Sequence, residues 1–198
     1  MQKIILLWII VLMTGCQSIR VFEAEQQVVD LGQGVFFPLF EPASYGRSVT
    51  FTQLAEIQSK QGNHELIFVV QILPTAITIV GLLPNGTRVF SAIYDGETVK
   101  SKGYSQLVEN LNPKYLIADL QLSLWPHAEL MEQWFTKQAC YASNRCEFQQ
   151  TPSGLERSIV VEGKKLITIQ YSAEIESTKT IQLDNSLRGY KILLEIVD

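Results

Sequence analysis

The sequence predicts an α+β domain built on one large antiparallel sheet with two helices. Three observations carry this. Short runs of β-branched and aromatic residues separated by turn dipeptides occupy Val49 to Ser101 and return from Cys146 to Val197. Two stretches of helical periodicity lie between those blocks. No repeat, low-complexity tract or linker divides the chain, so strands, helices and strands share one core.

The elements follow in order. Residues 17–44 read as a tether that becomes structured: Gln26 to Asp30 suits the start of a helix, while Gly32-Gln33-Gly34, Pro38 and Pro42 suggest irregular packing. Val49, Phe51 and Leu54, interleaved with threonines, predict a strand to about Ser59. Gln61-Gly62-Asn63 is a turn into a second strand, Glu65 to Leu73. Ala76 to Val80 is a third, closed by Gly81-Leu82-Leu83-Pro84-Asn85-Gly86. Thr87 to Tyr94 is a fourth, and Asp95-Gly96, a favoured hairpin dipeptide, turns it into Glu97 to Ser101.

Helical character begins at Asn112, an N-cap residue followed by Pro113 at the first helical position. Leu116, Ile117, Leu120, Leu122 and Leu124 then recur to Trp125-Pro126. His127 to Lys137 repeats the habit with Leu130, Met131, Trp134 and Phe135. Five further strands are predicted: Cys146 to Gln150, Leu155 to Val161, Lys164 to Tyr171, Thr178 to Asp184 and Arg188 to Val197.

The amino end carries a separate message. Ile4 to Val11 is an apolar run after Lys3, too short to span a bilayer but suited to a secretory signal. It ends in Leu12-Met13-Thr14-Gly15-Cys16, small residues before a cysteine, which is what lipoprotein signal peptidase requires. The expectation is a signal over residues 1–15 and a mature chain starting at a lipidated Cys16. At roughly 0.8 kcal/mol per buried methylene, three acyl chains make an effectively permanent anchor. Gln17 is not Asp, so sorting logic sends the anchor to the outer membrane, with the body facing the periplasm. Residues 16–44 are then anchor and tether, and residues 45–198 the domain.

Composition sets further bounds. The formal charge of the 198 residues is -4, with no basic stripe, which argues against a nucleic-acid partner. Apolar residues make up 46% and charged residues 18%, a rich allowance for a core and a hint of apolar surface needed elsewhere. With Cys16 lipidated, Cys140 and Cys146 remain; in an oxidising compartment they are read as a disulfide closing a small loop. A metal site would want more ligands than His64 and His127 add, so no metal and no cofactor are expected.

No catalytic arrangement emerges. There is no Gly-x-Ser-x-Gly elbow, no His-Glu-x-x-His and no phosphate-cradling glycine loop. Ser101-Lys102 point to opposite faces of a strand. The chain is expected not to be an enzyme. Asp119, set among leucines, reads either as a buried hydrogen-bonded carboxylate or as a polar contact in a ligand site.

Apolar geometry is what remains. Leu116, Leu120, Leu124, Trp125, Leu130, Met131, Trp134 and Phe135 exceed what a flat helix-on-sheet contact needs. They form either an ordinary core or the lining of a cavity for acyl chains. Leu82 and Leu83 fall in a turn, where residues are normally polar. They are either tucked under a neighbouring element or exposed for membrane contact.

Three segments carry a resemblance: Leu116-Ile117-Ala118-Asp119-Leu120-Gln121-Leu122-Ser123-Leu124-Trp125-Pro126, the turn Leu83-Pro84-Asn85-Gly86 running on to Gly96, and Gly189-Tyr190-Lys191-Ile192. With the lipobox, they make the chain similar to the lipoprotein-localisation factors LolA and LolB. It more closely resembles an uncharacterised family of LolB-like outer-membrane lipoproteins associated with aryl-polyene and fatty-acid synthesis clusters. The resemblance implies an open, curved half-barrel with the helices on its concave side. It also implies an apolar cavity for an acyl-chain or polyene lipid, non-enzymatic transfer, and a periplasmic carrier protein as a partner. An apolar residue in the family's protruding turn would match Asn85, a departure for which Leu82 and Leu83 are the substitutes. The alternative function is a structural lipoprotein that scaffolds an envelope complex.

Overall fold

The computed structural model describes residues 27–103, 112–135 and 146–197. Within them a single sheet dominates. Its strands are β3 (Val49–Ser59), β4 (Gly62–Leu73), β5 (Ala76–Leu82), β6 (Arg88–Tyr94), β7 (Val99–Gly103), β8 (Cys146–Gln150), β9 (Glu156–Val161), β10 (Lys164–Tyr171), β11 (Thr180–Asn185) and β12 (Tyr190–Val197). Every pairing is antiparallel, in the order β7-β6-β5-β4-β3-β12-β11-β10-β9-β8, and the sheet is open, with β7 and β8 at its edges. The closing step is the β3–β12 pairing, Ile57 opposite Ile192 and Ala55 opposite Leu194, which joins the two sequence blocks into one surface.

Side-chain alternation gives the sheet a buried and a wetter face, as antiparallel sheets allow. Ala55 and Ile57 of β3, Leu66, Phe68, Val70 and Ile72 of β4, and Ile77 and Ile79 of β5 point into the core. Leu54, Ile93 and Leu193 are left exposed. Gly81 is dictated by packing: the Phe90 ring lies opposite it, and a Cβ there would meet that ring at 2.1 Å.

Helix α1 (Pro113–Leu124) lies on the inner face and α2 (His127–Phe135) follows it. Asn112 caps α1, its side-chain oxygen accepting from the Lys114 amide at 3.1 Å. The Trp125 N–H still donates to the Gln121 carbonyl, and Pro126 then prevents continuation. Every residue from Leu116 to Leu124 is buried, the polar Asp119, Gln121 and Ser123 included. α1 meets β7 near one edge of the sheet, while its C-terminal carbonyls are bonded to Arg157 of β9 near the other. Eight strand spacings separate β7 from β9, about 38 Å if laid flat, against about 18 Å for a twelve-residue helix. The sheet therefore bends around α1.

The segment expected to pack irregularly is instead a hairpin. β1 (Val28–Gly32) and β2 (Val35–Pro38) pair antiparallel, followed by a 3-10 turn over Pro42–Tyr45. No helix starts at Gln26 to Asp30 among the described residues, because Val29 and Leu31 alternate with solvent-facing neighbours as a strand requires. Val29, Leu31, Val35, Phe37, Leu39 and Phe40 are all 2% exposed or less, so the packed core takes in residues well before Tyr45. One further difference concerns Asp95-Gly96. The Asp95 carboxylate accepts from the amides of Glu97 and Thr98, which lengthens the turn and delays β7 to Val99.

Candidate functional site: an apolar slot beneath the first helix

The leucines of α1 face the sheet across a narrow slot. Leu116, Leu120 and Leu124, at i, i+4 and i+8, form one wall. Phe68, Val70 and Ile79 of the first block and Ile181, Leu183, Ile192 and Leu194 of the second form the other. The remaining volume is about 40 Å³. That exceeds the roughly 10–15 Å³ one water needs, but is far below the ~300 Å³ at which small-molecule sites begin.

The other residues expected to line a cavity go elsewhere. Trp125 is fully buried, and its indole N–H donates to the Ser44 hydroxyl at 2.8 Å. Leu130 is fully buried in the core. Trp134 sits edge-on to Phe37 at 5.2 Å and tilted against Phe148 at 5.5 Å. Met131 is half-buried against the same cluster, and the Phe135 side chain lies outside the described part. Of the seven whose side chains are described, Leu116, Leu120 and Leu124 meet at the slot, because they share the stripe of α1 turned to the sheet.

α1 is held by polar contacts that its leucine pattern does not announce. The Gln121 side chain pairs with the Phe40 backbone in both directions, accepting at 2.9 Å and donating at 2.8 Å, as a strand neighbour would. Arg157, 1% exposed, donates to the carbonyls of Leu122 and Ser123 and to the Gln150 side chain. The Tyr171 hydroxyl donates to the Ser123 carbonyl as well. Among the described residues no carboxylate pairs with this buried cation, which is tolerable because it faces the negative end of the helix dipole. Alternation within β9 puts Arg157 in phase with buried Ile159, a signal available from sequence.

Three polar side chains also line the slot: Gln53 of β3 and Asp119 and Ser123 of α1. Asp119 Oδ2 accepts a short hydrogen bond from the Tyr190 hydroxyl, to which Asn185 donates in turn. Burial pushes the Asp119 carboxyl up to about 7, against the Tyr190 hydrogen bond and the Arg188 charge. Burial and the neighbouring carboxylate raise Tyr190 well above its ordinary value. Gln53 Nε2, Asp119 Oδ1 and Ser123 Oγ are buried without a hydrogen-bond partner among the described residues. Asp119 is thus both a buried, bonded carboxylate and a wall of the slot.

Leu82 belongs to strand β5, facing outward in a row with Ile67 and Leu54 across three strands. Leu83 is half-buried and packs against the core, and the exposed tip of the turn is Pro84-Asn85-Gly86. His64 is exposed on β4, and His127 stacks on Phe148 at 5.5 Å with its pKa lowered by burial and by Arg157. Among the described residues, no three His, Cys, Asp or Glu side chains gather as metal ligands. Cys146 is disulfide-bonded, and its partner lies outside the described residues, as do Cys140, Cys16 and the whole signal segment.

Residues 50–198 fit the family model described as "Protein of unknown function (DUF3261)", a span that takes in both helices and all of the ten-stranded sheet but Val49. No curated protein matches the chain.

Proposed function

The chain belongs to that DUF3261 family, and from this premise we propose that it is a non-enzymatic, lipid-anchored protein that binds or passes an acyl-chain lipid. Cys16 is the lipidated residue, the outer membrane is the site, and the body faces the periplasm. A LolB-like half-barrel is the architecture we assign, with α1 on its concave side. The observation that carries the reading is the slot: an i, i+4, i+8 leucine stripe opposed by seven apolar residues of a sheet that bends around it. Burial of methylenes supplies affinity without chemistry, at about 25 cal/mol per Å² of apolar surface.

At about 40 Å³ the slot is closed to a full chain, so binding requires α1 and the sheet to part along the Leu116–Leu124 stripe. The outward row Leu54, Ile67 and Leu82 supplies a surface for membrane approach in this scheme, with an acyl-chain or polyene lipid as cargo and a periplasmic carrier as donor. The small volume favours a second reading, a structural lipoprotein whose filled core scaffolds an envelope complex.

Uptake of a fluorescent fatty alcohol tests the first reading. The wild-type chain should take it up and Leu120→Phe, which fills the slot, should not. Equal uptake by both, or none by a folded wild type, removes the slot as the binding site.

A further inference from the structure

We infer that the slot is a two-part site whose polar part, formed by Gln53, Asp119 and Ser123, recognises an uncharged hydrogen-bonding head on an apolar chain. The inference rests on the lipid-binding reading above and adds the class of ligand. The three side chains come from both walls: Asp119 and Ser123 are one helical turn apart on α1, and Gln53 stands on β3 opposite Phe68 of β4. They are 6%, 2% and 2% exposed, respectively, so water at the surface does not satisfy them.

Each leaves one group unused: Gln53 an N–H donor, Asp119 the oxygen not engaged by Tyr190, and Ser123 a hydroxyl that can give or accept. Unpaired buried polar atoms are costly, so three around one small space are placed against something that completes them. A hydroxyl, primary amide or protonated acid does so. Its oxygen accepts from Gln53 Nε2 and its O–H or N–H donates to Ser123 Oγ, while Asp119 Oδ1 accepts from it when charged and donates to it when protonated. An anionic head is rejected, since it would be buried against a carboxyl with no cation within the slot to balance it. The leucine stripe then takes the chain.

The test uses 1-octanol and n-octane as probes on the signal-free Cys16→Ala protein, with the Gln53 side-chain amide followed by NMR. Octanol should shift that amide and bind about tenfold more tightly than octane, the worth of one good hydrogen bond. Gln53→Met, similar in length and without a donor, should abolish the difference between the two probes. Equal affinity for the two probes, with the amide unmoved, overturns the head-group site and leaves the lipid-binding reading standing. No binding of either probe to the folded protein overturns both.

Discussion

Asp119→Asn should flatten the dependence of stability on pH. In the native chain this carboxyl titrates near 7, against an ordinary 3.8 once unfolded. A carboxyl raised on folding holds its proton more tightly in the native state. Its stabilising share is therefore whole below about pH 4 and is lost as pH rises through 7. At 1.36 kcal/mol per pH unit, that interval corresponds to roughly 4 kcal/mol. Asn keeps the shape and can still accept from the Tyr190 hydroxyl, but has no charge to desolvate. Other groups titrate in the same range; His127, lowered by burial and Arg157, works in the opposite direction below about 6.5. Subtracting one protein's curve from the other's removes them. Urea unfolding, followed by the buried Trp125 and Trp134, should show the variant near wild type at pH 4 and several kcal/mol more stable at pH 8. A difference that stays constant across that range would refute the assignment of a neutral buried carboxyl.

Gln121→Leu strands the Phe40 N–H and carbonyl, and should cost about 2–4 kcal/mol in urea unfolding with faster hydrogen exchange at Phe40. Trp134→Ala should lose about 3–5 kcal/mol of stability while leaving any slot ligand's affinity unchanged, because its neighbours are Phe37 and Phe148. Gly81→Val, forced against the Phe90 ring, should destabilise by about 1–3 kcal/mol or more, with near-ultraviolet dichroism as a second readout. Peptide mapping without reductant should recover Cys146 linked to Cys140, and Cys146→Ala should cost about 2 kcal/mol for so short a loop.

The sheet was readable because its strands alternate and its turns use strong signals: β3 ends at the expected Ser59, and α1 starts at Asn112-Pro113 and stops before Trp125-Pro126. The N-terminal hairpin was less so. Gly32-Gln33-Gly34 looked like loop material, although Val29, Leu31, Val35 and Phe37 alternate around it. Of the slot, the leucine stripe of α1 follows from helical spacing, but the choice of Leu116, Leu120 and Leu124 over Trp125, Leu130 and Trp134 depends on which elements cross which. No local pattern encodes that. Gln53 and Arg157 were overlooked for a different reason: their strand phase puts them inside, whereas their polarity suggests outside. The partners that resolve the conflict for Arg157, the carbonyls of Leu122 and Ser123, lie 35 and 34 residues away in sequence.

The most direct test of a lipid-binding slot is native mass spectrometry of the Cys16→Ala protein, exported on a cleavable signal and purified from its own periplasm. The account predicts a discrete acyl or polyene adduct that is released on unfolding and absent from Leu120→Phe. A clean unliganded mass, with no uptake of an added fatty alcohol, would contradict it and leave the filled core as the scaffold of an envelope complex.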